Sequence, residues 1–286
     1  MSALGFTLVL TAAFCHALWN FFVKRINAGP ELVFLFSLVA MIIYLPAAVV
    51  VAARSPMLDA RQLALVAASA GLHLCYFLLL QRGYRNGNLS VVYPTARATG
   101  PLVSVSFAVL VLGERLSPLS ALGGIIVVTG VLMLSGGIRL GQRDALPSLA
   151  FGVAVGILIG SYTVLDAFAV STLLVPPLLL DYASSVGRVV LLAPLACRRR
   201  AAVRALWAAH RWRVVAIAVF NPLAYILVLV ALTFTPVIYV APTRELSVLI
   251  AVMLGSLLLG EGDLVRRLKC AAIILAGVVV LGLGSA

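Results

Sequence analysis

Charge is the scarcest property of this sequence. Of 286 residues, 9 are acidic and 21 basic, so charged side chains make up 10% of the chain against 63% hydrophobic. With a mean hydropathy of +1.17 this excludes a soluble globular domain, whose surface needs far more charge. The four cysteines (Cys15, Cys75, Cys197, Cys270) are scattered and show no Cys-x-x-Cys spacing. A disulfide scaffold and a thiolate metal site are thereby excluded, and the thiols read as small apolar packing groups. The first apolar run has no basic segment ahead of it and is followed by Lys24 and Arg25, so it reads as a retained first helix rather than a cleaved leader. Paired His/Glu metal motifs, nucleophile elbows and catalytic dyads are missing, which argues against an intramembrane enzyme and implies no cofactor. Period-two alternation is missing as well, so the apolar runs are not strands.

What the chain does have is apolar runs long enough to cross a bilayer, where about 20 residues per helix are needed. They predict an all-α integral membrane protein of ten transmembrane helices, at 4–23, 31–53, 62–82, 88–113, 118–137, 149–170, 175–197, 213–234, 237–260 and 267–284. Gly, Pro, Asn and charges punctuate them, as in KRINAGPE, RGYRNGN, RRRAAVR and EGDLVRR. The formal charge of +12 is therefore no nucleic-acid signal, since the basic residues cluster between apolar runs.

One stretch occurs twice. Arg97 to Glu114 reads RATGPLVSVSFAVLVLGE, and 147 residues later Arg244 to Glu261 reads RELSVLIAVMLGSLLLGE. Seven of eighteen positions are identical, and the Arg and Gly-Glu matches carry weight because charge is so rare here. Both copies follow a Tyr and a Pro-Thr, in VVYPTAR and VIYVAPTR. The chain thus divides into a first repeat (1–137), a linker (138–148) and a second repeat (149–286). Five helices per half is an odd number, so the halves must be inverted around a central cavity. Lys and Arg number fifteen on one side and three on the other, with Arg97, Arg188 and Arg244 inside helices. That bias sets both termini away from the cytoplasm and RRRAAVRALWAAHRW inside.

Ionisable groups inside a membrane helix are costly, so each needs a partner or a task. Arg97 and Arg244 occupy equivalent places near the repeat interface, where paired guanidiniums suit a carboxylate or phosphate. Salt bridging is the competing reading, with Glu245 the local neutraliser of Arg244. Pro94 and Pro242 precede the two arginines and can bend the backbone there. His16, Trp19 and Asn20 share one face of the first helix; His73 and Tyr76 form a similar pair in the third, and Tyr162 and Asp166 in the sixth. Tyr93 stands beside the Pro-Thr of the first copy. His16, Trp19, Asn20, His73, Tyr76, Tyr93 and Tyr162, with the two arginines, are the candidate substrate contacts, and Asp166, Glu245 and His16 the candidate proton carriers. Asp181 and Arg188, seven apart, are too distant to pair directly. Gly152, Gly156 and Gly160 form a stripe for close helix packing. Glu114 and Glu261 close their helices and are expected to tie the following turns, where Ser117-Pro118 and Asp263 signal the next helix.

The Leu-Gly-Glu ends (112–114 and 259–261), the Trp19-Asn20 pair and the two five-helix halves resemble the drug/metabolite transporter superfamily, specifically proteins with two EamA domains. The resemblance covers nearly the whole chain. It implies ten helices around a central cavity, alternating access, and export or exchange of small metabolites across a bacterial inner membrane by a monomer or weak dimer. Two departures stand out. The counterpart of Trp19 in the second half is Asp166, and His16 stands eight residues before Lys24, where the related four-helix multidrug exporters carry a carboxylate. The expected cargo is a small metabolite with an anionic group, an amino acid or similar carboxylate. The alternatives are a proton-coupled exporter of cationic drugs and a lipid-linked phosphate flippase.

Overall fold

In a computed structural model, residues 2–26, 28–86, 89–134, 145–250, 253 and 264–284 are described. The helices are α1 (Ala3–Ile26), α2 (Pro30–Arg54), α3 (Ala60–Asn86), α4 (Leu89–Val111), α5 (Pro118–Leu134), α6 (Ala145–Ser171), α7 (Pro177–Arg198), α8 (Arg200–Leu232), α9 (Val237–Thr243) and α10 (Leu264–Leu283). No strand occurs among the described residues. Six of these helices are long and apolar enough to cross a membrane, namely α1, α2, α3, α6, α7 and α8. Shorter apolar stretches lie in α4, α5 and α10. The expected linker at 138–148 and the end of the ninth span, with Glu261 and Asp263, fall largely or wholly outside the described residues.

Polarity is distributed inside out. Phe14, Ile42, Val49, Leu110, Ile125, Val190 and Val279 point outward, while Ser37, His73, Asp166, Asp181, Arg188 and Glu245 are buried. Water would penalise such an apolar perimeter, and a hydrocarbon surround accepts it.

The most extensive helix contacts join the front of the chain to its back: α4 with α6, α5 with α10, α1 with α8, α2 with α7, and α3 with α6. Glycine permits the closest of them. Gly152, Gly156 and Gly160 lie against Thr95, Thr99 and Val103 of α4, so the predicted stripe is a helix–helix seam. Gly123 and Gly277 make the equivalent crossing between α5 and α10.

The Leu-Gly-Glu end of α4 has a geometry of its own. Leu112 packs against the core, and Gly113 turns the chain at φ +70°, a conformation that favours glycine. The turn aims Glu114 at the start of α9, where its Oε1 accepts from the Val237 amide (2.8 Å) and its Oε2 from the Ile238 amide (2.9 Å). The expectation that Glu114 ties its own turn is therefore corrected: it caps a helix 123 residues away, where the N-terminal dipole favours a carboxylate. Ser117 alone makes the local cap, accepting from the Ser120 amide at 3.1 Å. Glu114→Ala should lower the unfolding free energy by about 1–2 kcal/mol, and Glu114→Gln, which keeps one acceptor, by less. Thermal unfolding of the purified protein measures both.

Two further expectations are corrected. RRRAAVR is not a loop: α8 begins at Arg200 and bends at His210 (φ −135°, ψ 19°). Val203 and Leu206, three residues apart, pack on the core around Trp19, while Trp207 and Trp212 remain exposed as at a membrane interface. Arg199 Nη1 donates to Glu31 Oε1 at 2.7 Å and ties this segment to α2. The two prolines also behave differently. α4 continues unbroken through Pro94, but α9 stops at Thr243, residues 244–245 form a turn, and helix resumes at 246–250. Glu245, Ser247 and Val248 donate to carbonyls three residues back, the tight pattern expected where Pro242 has removed a donor.

Candidate functional site

A cavity lies where α1, α3, α4, α6, α7, α8 and the turn after α9 converge. A second, smaller chamber adjoins it between α4, α6 and α9, sharing His16, Tyr76, Arg97, Tyr162 and Arg244. Of the residues singled out from sequence, His16, Trp19, His73, Tyr76, Arg97, Tyr162 and Arg244 line the main cavity. Asn20 does not: its Nδ2 donates to the His16 carbonyl one turn back, at 2.7 Å. The Tyr93 side chain lies outside the described residues.

The two arginines hold corresponding partners. Arg97 Nη2 lies 3.2 Å from His16 Nε2, and Arg244 Nη1 donates to Thr163 Oγ1 at 3.4 Å. Each pair is separated by 81 residues. Arg97 to Arg244 and His16 to Thr163 are each a shift of 147, the period of the sequence repeat. Arg244 also stands over the Tyr225 ring, 5.8 Å from its centroid.

His16 is presented with two donors. Trp19 Nε1 approaches its Nδ1 at 3.2 Å and Arg97 approaches its Nε2. Both groups can only donate, and a neutral imidazole accepts at one nitrogen only. His16 therefore satisfies one of them, and if Nδ1 accepts from Trp19, Nε2–H and the guanidinium present donors to the same space.

Glu245 was expected beside Arg244 as its neutraliser. Instead, its Oε1 lies 3.8 Å from Arg97 Nη1, across the gap to α4. The turn at 244–245 causes this, because consecutive side chains leave it in different directions. Glu245 is 5% exposed and lines the smaller chamber, and its Oε2 has no hydrogen-bond partner among the described residues.

Asp166 sits behind the cavity wall, fully buried. The Tyr225 hydroxyl donates to its Oδ2, and His73 Nε2 lies 3.9 Å from the same oxygen. Its Oδ1 has no hydrogen-bond partner among the described residues. His73 Nδ1 faces the Ser69 carbonyl at 2.9 Å, and a carbonyl only accepts, so Nδ1 carries the proton and Nε2 is turned to Asp166. His73 stacks on Tyr162 (centroids 4.1 Å apart) and meets Tyr225 edge-on (5.2 Å). Asp166 thus meets the cavity lining through His73 and Tyr225, both of which line it, and the Ser69 side chain also acts on it.

Sequence reasoning missed Phe77, Asn221 and Tyr225 as cavity residues. It registered Asp181 and Arg188 as ionisable but did not bring them to the site, where both line the cavity. The signal available was their shared face on α7. As expected, the two do not pair directly: Arg188 Nε donates to Ser37 Oγ on α2 at 3.1 Å, not to Asp181.

An apolar exterior around a polar, arginine-lined interior defines a multi-pass helical membrane protein. Residues 3–136 match the EamA-like transporter family. By that match residues 3–136 form an EamA-like domain of the drug/metabolite transporter superfamily, a superfamily of membrane transporters. No curated protein matches the chain. A solved crystal structure of a protein is similar with a TM-score of 0.79 and 15% identity, covering 99% of this chain and 98% of its own. At that identity the likeness is one of fold.

Proposed function

We propose that the protein is a secondary-active carrier that exports or exchanges a small metabolite bearing a carboxylate, an amino acid or similar acid, by alternating access. The observation that carries this reading is the donor-rich corner at Arg97. A guanidinium, an imidazole that cannot accept from all its neighbours, and the nearby Arg244 all face the cavities. A ligand carboxylate would accept from Arg97 and His16 together, a two-point charge-assisted grip that a neutral ligand lacks. The inverted two-half plan is supported by the 147-residue shift relating the two arginine contacts. It is supported too by helix pairings that survive exchange of the halves: α1–α8 with α3–α6, and α3–α7 with α2–α8. We place the carrier in a bacterial inner membrane, as the family resemblance implies, and the charge bias supports an orientation with the basic segments in the cytoplasm.

A stability screen tests the reading. Ligands that bind the folded state raise its melting point. Small carboxylates should raise it in the purified protein, while matched amides and amines should not. A response confined to cations would reverse the assignment.

Asp166 favours a second element, proton coupling, because an acid with an unpartnered buried oxygen touches the cavity through a tyrosine and a histidine. Asp166→Asn in proteoliposomes should abolish accumulation driven by a pH gradient yet leave substrate exchange running. Unchanged pH-driven uptake in that variant would remove Asp166 from the mechanism.

A further inference from the structure

The carboxylate reading accounts for the wall formed by α4 and the turn after α9, but not for α7. There Asp181 lines the cavity at 5% exposure. Among the described residues it makes no hydrogen bond, and no cation lies within ion-pair distance of it. A buried carboxylate in an apolar setting needs a positive partner or a proton.

Arg188 is the obvious candidate: its charge acts on Asp181 through space, but its hydrogen bonds are made elsewhere. It stands seven residues along the same helix, about 10 Å of rise. Its Nε donates to Ser37 Oγ (3.1 Å), its Nη2 donates to Ser185 Oγ (2.9 Å), and its plane lies 5.4 Å from the Phe77 ring centroid. His73, on the neighbouring α3, is turned to Asp166 and the Ser69 carbonyl.

Position makes Asp181 useful. α7 packs on α2, α3 and α8, whereas α4 packs on α6, α5 and α9. The acid and the Arg97 corner therefore stand on different helices lining one cavity, and Tyr76 and Phe77 line it too. Aromatic faces of that kind attract organic cations.

We propose that Asp181 is an ammonium subsite, so that the cavity takes a zwitterion, with the carboxylate at Arg97 and the ammonium at Asp181. The proposal rests on the carboxylate reading and narrows it from acids in general to those carrying an amine. It also explains why an arginine-rich site keeps an unpaired acid: the bound zwitterion adds no net charge and answers both ends.

The test compares alanine, leucine and phenylalanine with propanoate, 4-methylpentanoate and 3-phenylpropanoate, which differ from them only by the amine. Binding is measured on the purified full chain. In the native protein at least one amino acid should bind about tenfold more tightly than its des-amino partner, the worth of one charge-assisted hydrogen bond. Asp181→Asn should bring that ratio to about one while leaving the des-amino acid's affinity unchanged. Asp181→Glu, which keeps the charge, should retain a preference, and it serves if the Asn variant does not fold. Equal binding of both partners by the native protein, or equal weakening of both in Asp181→Asn, overturns the subsite while the carboxylate reading stands. If no compound of either series binds the native protein, both readings fall together.

Discussion

Arg97→Ala should weaken binding of an anionic substrate by about a hundredfold, the loss of two charge-assisted hydrogen bonds. Neutral analogues should lose much less. Arg97→Lys keeps the charge but not the planar fork, and should cost about tenfold. The structure adds a complication, since removing Arg97 also strands Glu245, whose Oε1 lies 3.8 Å from it. An acid left unpaired in a buried site costs about 3–5 kcal/mol, so the single variant loses stability whether or not Arg97 ever touches substrate. The double variant Arg97→Ala/Glu245→Gln separates the effects. Its melting point should recover towards that of the native protein while its affinity for anions stays low. If affinity recovers along with stability, Arg97 is a structural bridge and not a ligand.

A large structural effect is expected at Gly156. A Cβ there would meet Thr99 Cβ, would lie 2.8 Å from Thr99 Cγ2, and would lie 3.1 Å from the Ala96 carbonyl. Backbone and a β-branched stem stand in the way, and neither can swing aside. Gly156→Leu should cost about 3 kcal/mol or more, the upper end of overpacking, and lower the melting point by roughly 10 °C. Gly156→Ala should be milder and more informative. It pushes α4 outward by a fraction of an ångström, and α4 carries Arg97, so substrate affinity should fall in a protein that still folds. Native affinity in that variant would mean that the α4–α6 seam does not set the position of Arg97.

How much of this was legible beforehand depended on the rarity of charge. Arg97 and Arg244 stood out because a guanidinium in an apolar run is costly, and their register exposed the repeat. His16, His73 and Tyr162 were legible for a similar reason, as polar groups spaced along helical faces. Tyr225 and Phe77 were not, since an aromatic in an apolar helix is the ordinary filling of such helices. The partner of Glu245 was hidden by the turn after Pro242, because helical spacing stops predicting direction where the helix stops. Glu114 was read as a turn residue because its acceptor role is only visible once Val237 and Ile238 arrive from 123 and 124 residues away. RRRAAVR was read as a loop from its charge, although Val203 and Leu206 already had the spacing of a buried face.

The pairing of the helices also bears on the order in which the protein can be made. α4 finds its glycine seam only once α6 has emerged, and the partner of α5 is α10, the last of the described helices. During synthesis the leading helices therefore enter the bilayer without the surfaces they are shaped for. Glu245, the acid beside Arg97, comes later still. Assembly is consequently a late event in which helices already inserted are zipped together from the back of the chain. A ribosome stalled before α10 would leave Gly123 and its neighbours facing lipid, presenting a surface that a quality-control protease could recognise.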